Sequence, residues 1–298
     1  MKPHSRGPAY PVDPLGLQEG WTEDLKRFAA LVPQKLELEE FFSLEEPFRE
    51  LLRSEVLRDL AKNALTRMVA APDHTPYGGF SSTGLSLARC ESWTMTLRFL
   101  RPGAEFPKTL QSTSEHCLLG VPAHTRAASC VEMRTWRQIA PHPVDVLRPG
   151  AGLASPEDVL VDSEHLLRVR AAEDLVCYVP SSQLRVVAVL TSSTVVPFQW
   201  QYDIESGEPT RIIAAYPDSS RIDVALRLLH TVADESSAAV VADLTKHPDH
   251  YVRWTAVRVL FALDKAAGTE ALSEALLDPH PHVRAAAKDA TESLVGAA

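Results

Sequence analysis

Four polar side chains in the middle of the chain have types and spacing that could serve one binding site. Thr109, Gln111 and Glu115 follow one another closely, and Arg185 lies further along the chain. Arg185 offers an always-charged guanidinium fork, Glu115 a carboxylate, and the other two offer hydrogen-bonding groups. Such a set could bind a small polar ligand, or it could form a satisfied internal hydrogen-bond network.

The same set argues against a bound transition metal. A hydroxyl and an amide oxygen are poor ligands for iron, manganese or copper, and a guanidinium has no lone pair to donate, so Glu115 is the single plausible ligand. A non-standard metal site could still draw on other histidines, although strand alternation should turn His116 away from Glu115. We therefore expect no cofactor, with iron or another transition metal as the alternative. The other histidines in this part of the chain are His124, His142 and His165.

The spacing around Gly103 resembles the first metal-binding motif of the cupins, which are small β-barrel proteins. After Gly103 come five residues, then Thr109 and Gln111 with one residue between them, then three residues and Glu115, and later Gly120. The cupin motif has a His-x-His pair where Thr109 and Gln111 stand, and a glutamate where Glu115 stands. This resemblance implies a cupin-like barrel that lacks the two histidines of the family.

A second stretch resembles the other cupin motif, which continues from a glycine through Pro-x-Gly to a histidine. Asp174 stands at the first glycine, Pro180 is in register, Ser182 replaces the second glycine and Arg185 replaces the histidine. The resemblance leaves open a metal-dependent oxygenase or isomerase with an atypical metal site. The two motif matches together imply that Gln111, Glu115 and Arg185 face one interior, and in that case the two charges should be paired, because a lone buried charge is costly. Separately, the short strand-like runs between turn signals predict that Gly103 and Pro180 lie in turns or at strand ends.

The C-terminal region repeats itself at an offset of 31 residues, from Asp218 to Asp249. Self-similarity at such a period is typical of a solenoid of helical hairpins. The phrases PDHYVRWTAV and DPHPHVRAAA resemble HEAT repeats, in which the arginine at the position of Arg253 and Arg284 usually ties adjacent hairpins together. We therefore predict stacked antiparallel helices over residues 217–298.

Four histidines lie near the turns of these repeats. They recur about one repeat apart, without a second type of metal ligand at tight spacing. We interpret them as turn and cap residues rather than as metal ligands. They are His247, His250, His280 and His282.

The remaining patterns indicate elements that would position the four polar residues. Residues 1–20 are rich in proline and glycine and predict a flexible arm, and residues 21–76 carry amphipathic helical patterns that predict a helical cap. Residues 77–216 alternate short β-branched and aromatic runs with turn residues, which predicts an antiparallel, cupin-like barrel or sandwich. The fold class is therefore α+β in several parts, with the α-solenoid at the C-terminus.

Composition narrows the classes of function. The formal net charge of −9 over 298 residues lacks the basic footprint of a nucleic-acid binder. The sequence contains no apolar run of the roughly 18 residues that a membrane span needs and no signal-peptide pattern, so we expect a cytoplasmic protein. Four scattered cysteines, without a CxxC pair, predict reduced thiols.

The arrangement as a whole resembles a bacterial accessory protein of biosynthetic or regulatory systems. The interpretation we adopt is a non-catalytic binding or scaffold protein. Its protein partner would dock on residues 217–298, and a small polar ligand could occupy the barrel. Neither nucleic acid nor membrane is an expected partner.

Overall fold

A computed structural model describes residues 22–32, 38–70, 80–81, 83–125, 129–139, 145–146, 152–215, 217–232 and 235–296. The predicted arm, residues 1–20, lies outside them, as does His142. The chain divides into two compact units, residues 1–215 and 216–298.

The first unit begins with helices that carry clear local start signals. The Thr22 side chain accepts a hydrogen bond from the backbone N–H of Leu25 at 3.3 Å, and Glu23 and Asp24 occupy the first turn, where acidic groups favour a helix. The helices are α1 (Glu23–Leu31), α2 (Leu38–Phe42), α3 (Glu45–Arg53) and α4 (Val56–Ala70).

Twelve strands follow in the described part of the first unit. They are β1 (Phe80–Ser81), β2 (Gly84–Arg89), β3 (Trp93–Leu100), β4 (Thr109–Gln111), β5 (Cys117–Gly120), β6 (Val131–Arg137), β7 (Glu157–Val161), β8 (Leu167–Val169), β9 (Asp174–Tyr178), β10 (Arg185–Ser192), β11 (Phe198–Asp203) and β12 (Pro209–Ala214). Every pair of neighbouring strands is antiparallel. The antiparallel β region predicted from the sequence is confirmed.

The strands form three sheets, in the orders β1-β2-β3-β10-β5-β8, β12-β11-β4 and β7-β6-β9. The sequence predicts an antiparallel barrel or sandwich, and within the described residues the strands form three separate sheets that do not close into one barrel. The described sheets stay separate because the short strand β4 pairs only with β11 and forms no ladder with the neighbouring β9. Gly103 lies in a turn at φ +72°, and Pro180 follows β9 closely, both as predicted.

The large sheet is buried on both faces. On one face Trp93, Met95 and Leu190 pack against helices α1–α4, and Phe28 meets Trp93 edge-on with ring centroids 5.5 Å apart. On the other face Leu119, Val187 and Val189 pack against β6 and β7. A buried aromatic or aliphatic side chain contributes roughly 1.5–3 kcal/mol, so the helical segment is a cap that shares one core with the sheet.

The second unit is helical throughout its described residues, which confirms the prediction from the 31-residue offset. Gly268 allows a close approach between α7 and α8, because a Cβ there would lie 2.1 Å from the Cα of Phe261. Asp264 caps α8 by accepting hydrogen bonds from two backbone N–H groups. The elements are α5 (Pro217–Val232), a 3₁₀ turn (Glu235–Ser237), α6 (Ala238–Leu244), α7 (His250–Leu263), α8 (Lys265–Ala275) and α9 (Pro281–Gly296).

Candidate functional sites

Thr109 and Gln111 lie on the exposed face of the three-stranded sheet that contains β4, β11 and β12. Gln201 on β11 donates through Nε2 to Thr109 Oγ1 at 3.0 Å, and Arg211 on β12 donates through Nε to Gln201 Oε1 at 2.6 Å. Gln111 stands directly opposite Gln201 in the ladder and so shares this face. The face is a polar strip of amide, hydroxyl and guanidinium groups that is open to solvent.

Glu115 and Arg185 lie at opposite ends of β10. Cys117 pairs with Thr191, so Glu115, two residues before Cys117, lies beside the end of β10, whereas Arg185 begins that strand. At about 3.3 Å per residue, the seven residue steps from Arg185 to Ser192 separate these positions by roughly 23 Å. The predicted ion pair between Glu115 and Arg185 is therefore wrong.

Each of these two charged residues has its own local partners. Glu115 accepts a hydrogen bond from Thr194 at 3.3 Å, while Arg185 donates to Ser181 Oγ and to the carbonyl of Cys130. Arg185 thus ties the turn before β10 to the start of β6. That each of the four polar residues contacts a ligand stays a prediction, but they do not form one constellation.

The residues at the cupin-motif positions do not fit a transition metal. Among Thr109, Gln111, Glu115 and Arg185, one carboxylate is a competent donor, and the guanidinium at the third histidine position lies far from it. Among the described residues of the first unit the other histidines form no such cluster, and His165 is exposed and hydrogen-bonds to Asp162. We therefore derive no chemical step through a metal in the β region.

His116 faces away from Glu115, as strand alternation predicts. It is buried against the rings of Phe41 and Phe42, with centroids 6.1 and 5.7 Å away, and its Nδ1 accepts a hydrogen bond from the N–H of Ala171 at 3.0 Å. Burial lowers the pKa of His116, with a smaller contribution from Arg170 in the same direction and an opposing one from Glu173. The ring is thus a neutral acceptor that joins the helical cap to the β region.

The buried thiol and phenol groups inside the β region are not activated. Burial raises the pKa of Cys117 and of Tyr178 to about 12 each, and Arg98 offsets this only in part. Both groups stay protonated at neutral pH, which is unsuitable for a nucleophile or a general base. All four cysteines are free thiols.

The second unit holds its repeats together through Arg253. This side chain forms a bidentate salt bridge with Asp278, with N–O distances of 2.8 and 2.7 Å, and also donates hydrogen bonds to the carbonyls of His247 and Pro248. Arg284 makes the equivalent bonds to the carbonyls of Asp278 and Pro279. The role predicted for Arg253, tying one hairpin to the next, is confirmed.

Three histidines of the second unit, interpreted from the sequence as turn and cap residues, come together in space. The rings of His250 and His280 are stacked, with centroids 3.7 Å apart, and His282 lies 5.0 Å from His280 and 6.1 Å from His250. Ligating atoms of the three residues lie within 4.8 Å of one another. Within the described residues this is the one group of three or more histidine, cysteine or acidic side chains so arranged. A signal was present in the sequence, because each histidine stands at the start of the first helix of its repeat.

Comparison with known proteins agrees with this description. Residues 213–292 match the family model of HEAT repeats. No curated protein matches the chain. None of the described helices is long and apolar enough to cross a membrane.

Several solved structures are similar to part of this chain. They include the DMSP lyase DddQ from Ruegeria pomeroyi, with a TM-score of 0.25 and 11% identity over 49% of this chain and 60% of that one. The polyketide cyclase RemF from Streptomyces resistomycificus has a TM-score of 0.25 and 9% identity over 45% and 70%. A cupin protein from Bacteroides fragilis has a TM-score of 0.24 and 9% identity over 42% and 88%. Likeness at this level says nothing about activity.

Proposed function

We propose that this protein is a non-catalytic binding protein whose HEAT repeats dock a protein partner. The observation that carries the proposal is an apolar stripe on α5. Val224, Leu228 and Val232 follow one another at intervals of four residues and therefore lie on one face of the helix. Their exposed fractions are 65%, 61% and 69%.

The stripe is better explained by docking than by chance exposure. Single exposed apolar side chains are normal, but several in a row on one helix face mark an interaction surface more often. HEAT repeats and other solenoids contact partners through such extended surfaces. The partner we propose is a protein that presents an apolar helix or strand face of matching length.

The β region would support this role by binding a small polar ligand or by serving as a scaffold. The ligand would contact the polar strip of Thr109, Gln111, Gln201 and Arg211, which offers donors and acceptors but no acid–base pair. The alternative, a metal-dependent oxygenase or isomerase, lacks imidazole donors at its expected positions. We therefore place no catalytic residue in this region and propose that it has no resident metal.

A charge placed in the stripe tests the docking proposal. The full-length protein and its Leu228→Lys variant are expressed in cells of the organism that encodes the protein and purified under mild cross-linking. The proteins that co-purify with each are then compared by quantitative mass spectrometry. His230→Lys is the matched control, since it adds the same charge to an exposed position of α5 away from the stripe.

The expected result is one protein recovered in near-stoichiometric amount with the wild type and the control, and reduced at least about tenfold with Leu228→Lys. The purified pair should then bind directly in calorimetry. Equal recovery with all three proteins would overturn the proposal. A wild-type dimer in light scattering, dissociated by Leu228→Lys, would replace the separate partner by a second copy of this chain.

A further inference from the structure

We propose that His250, His280 and His282 bind a divalent transition-metal ion such as Zn²⁺ between two adjacent HEAT repeats. This site lies in the helical unit, goes beyond the proposed docking function and uses none of the residues of the cupin-like motifs. It would make the stacking of the repeats responsive to metal.

The fold places the three imidazoles together through the stacking of repeats. His250 is the first residue of α7, His280 immediately precedes α9, and His282 lies in the first turn of α9. The two helices begin successive repeats, so their N-terminal ends lie side by side. His250 and His280 are each 7% exposed, and His282 is half-buried, which leaves one side of the cluster accessible to an ion.

The donor set suits zinc and its neighbours in the first transition row. Neutral imidazole is a preferred ligand of Zn²⁺, Cu²⁺ and Ni²⁺, and three histidines with one remaining position for water form a known type of zinc site. Carboxylates do not compete for this role, because Asp278 is held by the Arg253 fork and by the backbone N–H of His280. The ion would therefore be held by nitrogen donors alone, plus water.

Binding would rearrange the rings rather than the backbone. Two nitrogens bound to one zinc ion at 2.0–2.1 Å in tetrahedral geometry lie about 3.4 Å apart, so atoms now within 4.8 Å must approach by up to about 1.4 Å. The rings of His250 and His280 are stacked with nearly parallel planes, and a nitrogen lone pair lies in the plane of its ring, so one ring must turn about its Cβ–Cγ bond before both can bind one ion. In the structure the His280 Nδ1 accepts from the N–H of His282 at 3.2 Å, so binding through Nε2 would place a proton on Nδ1 and release that bond.

The consequence is a cross-link between consecutive repeats. His250 belongs to one repeat, and His280 and His282 belong to the next, so an ion held by all three ties α7 to α9. Because the unfolded chain does not bring these residues together, the ion should stabilise the folded unit by mass action. Binding should weaken at acid pH, since protonated imidazole is not a ligand.

The test uses the full-length protein, without any histidine tag and stripped with a chelator. Zn²⁺ alone is titrated in by calorimetry, and thermal unfolding is followed with and without the ion. Co²⁺ substituted for zinc reports coordination by its visible absorption. His282→Ala is the informative variant because that residue is only half-buried, and His230→Ala is the control for adventitious binding to an exposed histidine of the same unit.

We expect one Zn²⁺ per chain and an unfolding midpoint raised on the order of 10 °C when zinc exceeds its dissociation constant a hundredfold. His282→Ala should weaken binding at least tenfold and abolish most of the rise, while His230→Ala should behave like the wild type. Circular dichroism establishes that each variant is folded. Absence of saturable binding, or equal binding by His282→Ala and the wild type, would overturn the proposal.

Discussion

Replacing Arg253 by alanine should loosen the HEAT unit because it leaves a buried carboxylate without its main partner. The side chains of Arg253 and Asp278 are 13% and 9% exposed, so the pair is not a surface ion pair. Breaking a buried pair from one side costs roughly 3–5 kcal/mol, whereas a surface pair contributes about 1 kcal/mol or less. Asp278 keeps the backbone N–H of His280 as a donor, at 2.7 Å, which places our expectation near the low end, about 3 kcal/mol.

Hydrogen exchange followed by mass spectrometry is the suitable assay, since it reports the opening of each helix in the full-length protein. Peptides from α7 and α9 should lose protection in Arg253→Ala, while peptides from β3 and β10 should not change. Arg258→Ala is the matched control, because it removes an exposed arginine from the same helix. A loss below about 1 kcal/mol, or an equal loss in the control, would refute the inference that this pair ties the repeats together.

The same pair should make the unit sensitive to acid. Burial alone would raise the pKa of Asp278, but the Arg253 fork and the backbone N–H of His280 lower it by more, so the net pKa lies below its usual value. The stability from this carboxylate is therefore fully present above about pH 4 and is lost as the pH falls through the lowered pKa. In Arg253→Ala this part of the acid dependence should shrink.

Three further predictions concern the two cores. Gly268→Ala should destabilise the second unit by roughly 1–3 kcal/mol in denaturant unfolding, because the added Cβ would meet the backbone of Phe261. Thr269→Ala is the control and should be nearly neutral. Equal effects of the two substitutions would contradict the close approach of the helices. Because the pKa of His116 is lowered in the folded protein, its contribution to stability is present above the unfolded pKa of about 6.5 and is lost as the pH falls through the folded pKa. The free energy of unfolding should therefore depend less on pH between pH 5 and 8 in His116→Gln than in the wild type. An unchanged pH dependence in the variant would rule this out. Burial raises the pKa of Cys117 to about 12, so this thiol should resist iodoacetamide at pH 8 until denaturant is added, and rapid modification of the native protein would show that the site is open.

Much of the local structure could be predicted from short stretches of sequence. The alternation of Met95 and Leu97 with Thr96 placed a strand at β3, and the 31-residue offset placed the helices of the second unit. Arg253 could be assigned a role because an arginine recurs at the same position one repeat later, as Arg284. These features depend on the period of the backbone and on nearest neighbours, which sequence spacing reports directly.

The candidate sites depended on pairings between distant parts of the chain. Glu115 and Arg185 looked like partners in motif spacing, yet the antiparallel register of β5 on β10 puts them at opposite ends of one strand. Register is set by side chains on both strands and by the turns between them, so no single motif contains it.

The histidine cluster likewise depends on contacts between distant parts of the chain. The sequence places these histidines at the starts of the first helices of their repeats, but at the 31-residue offset His250 aligns with Pro281, so the spacing alone does not show that the rings meet. The rings meet because α7 and α9 stack side by side, with His250 packed flat on His280 across the boundary between repeats. The sequence by itself determined which helices and strands form; the packing of those elements on one another decided which side chains became neighbours, because contacts between repeats and between sheets join residues that no local period relates.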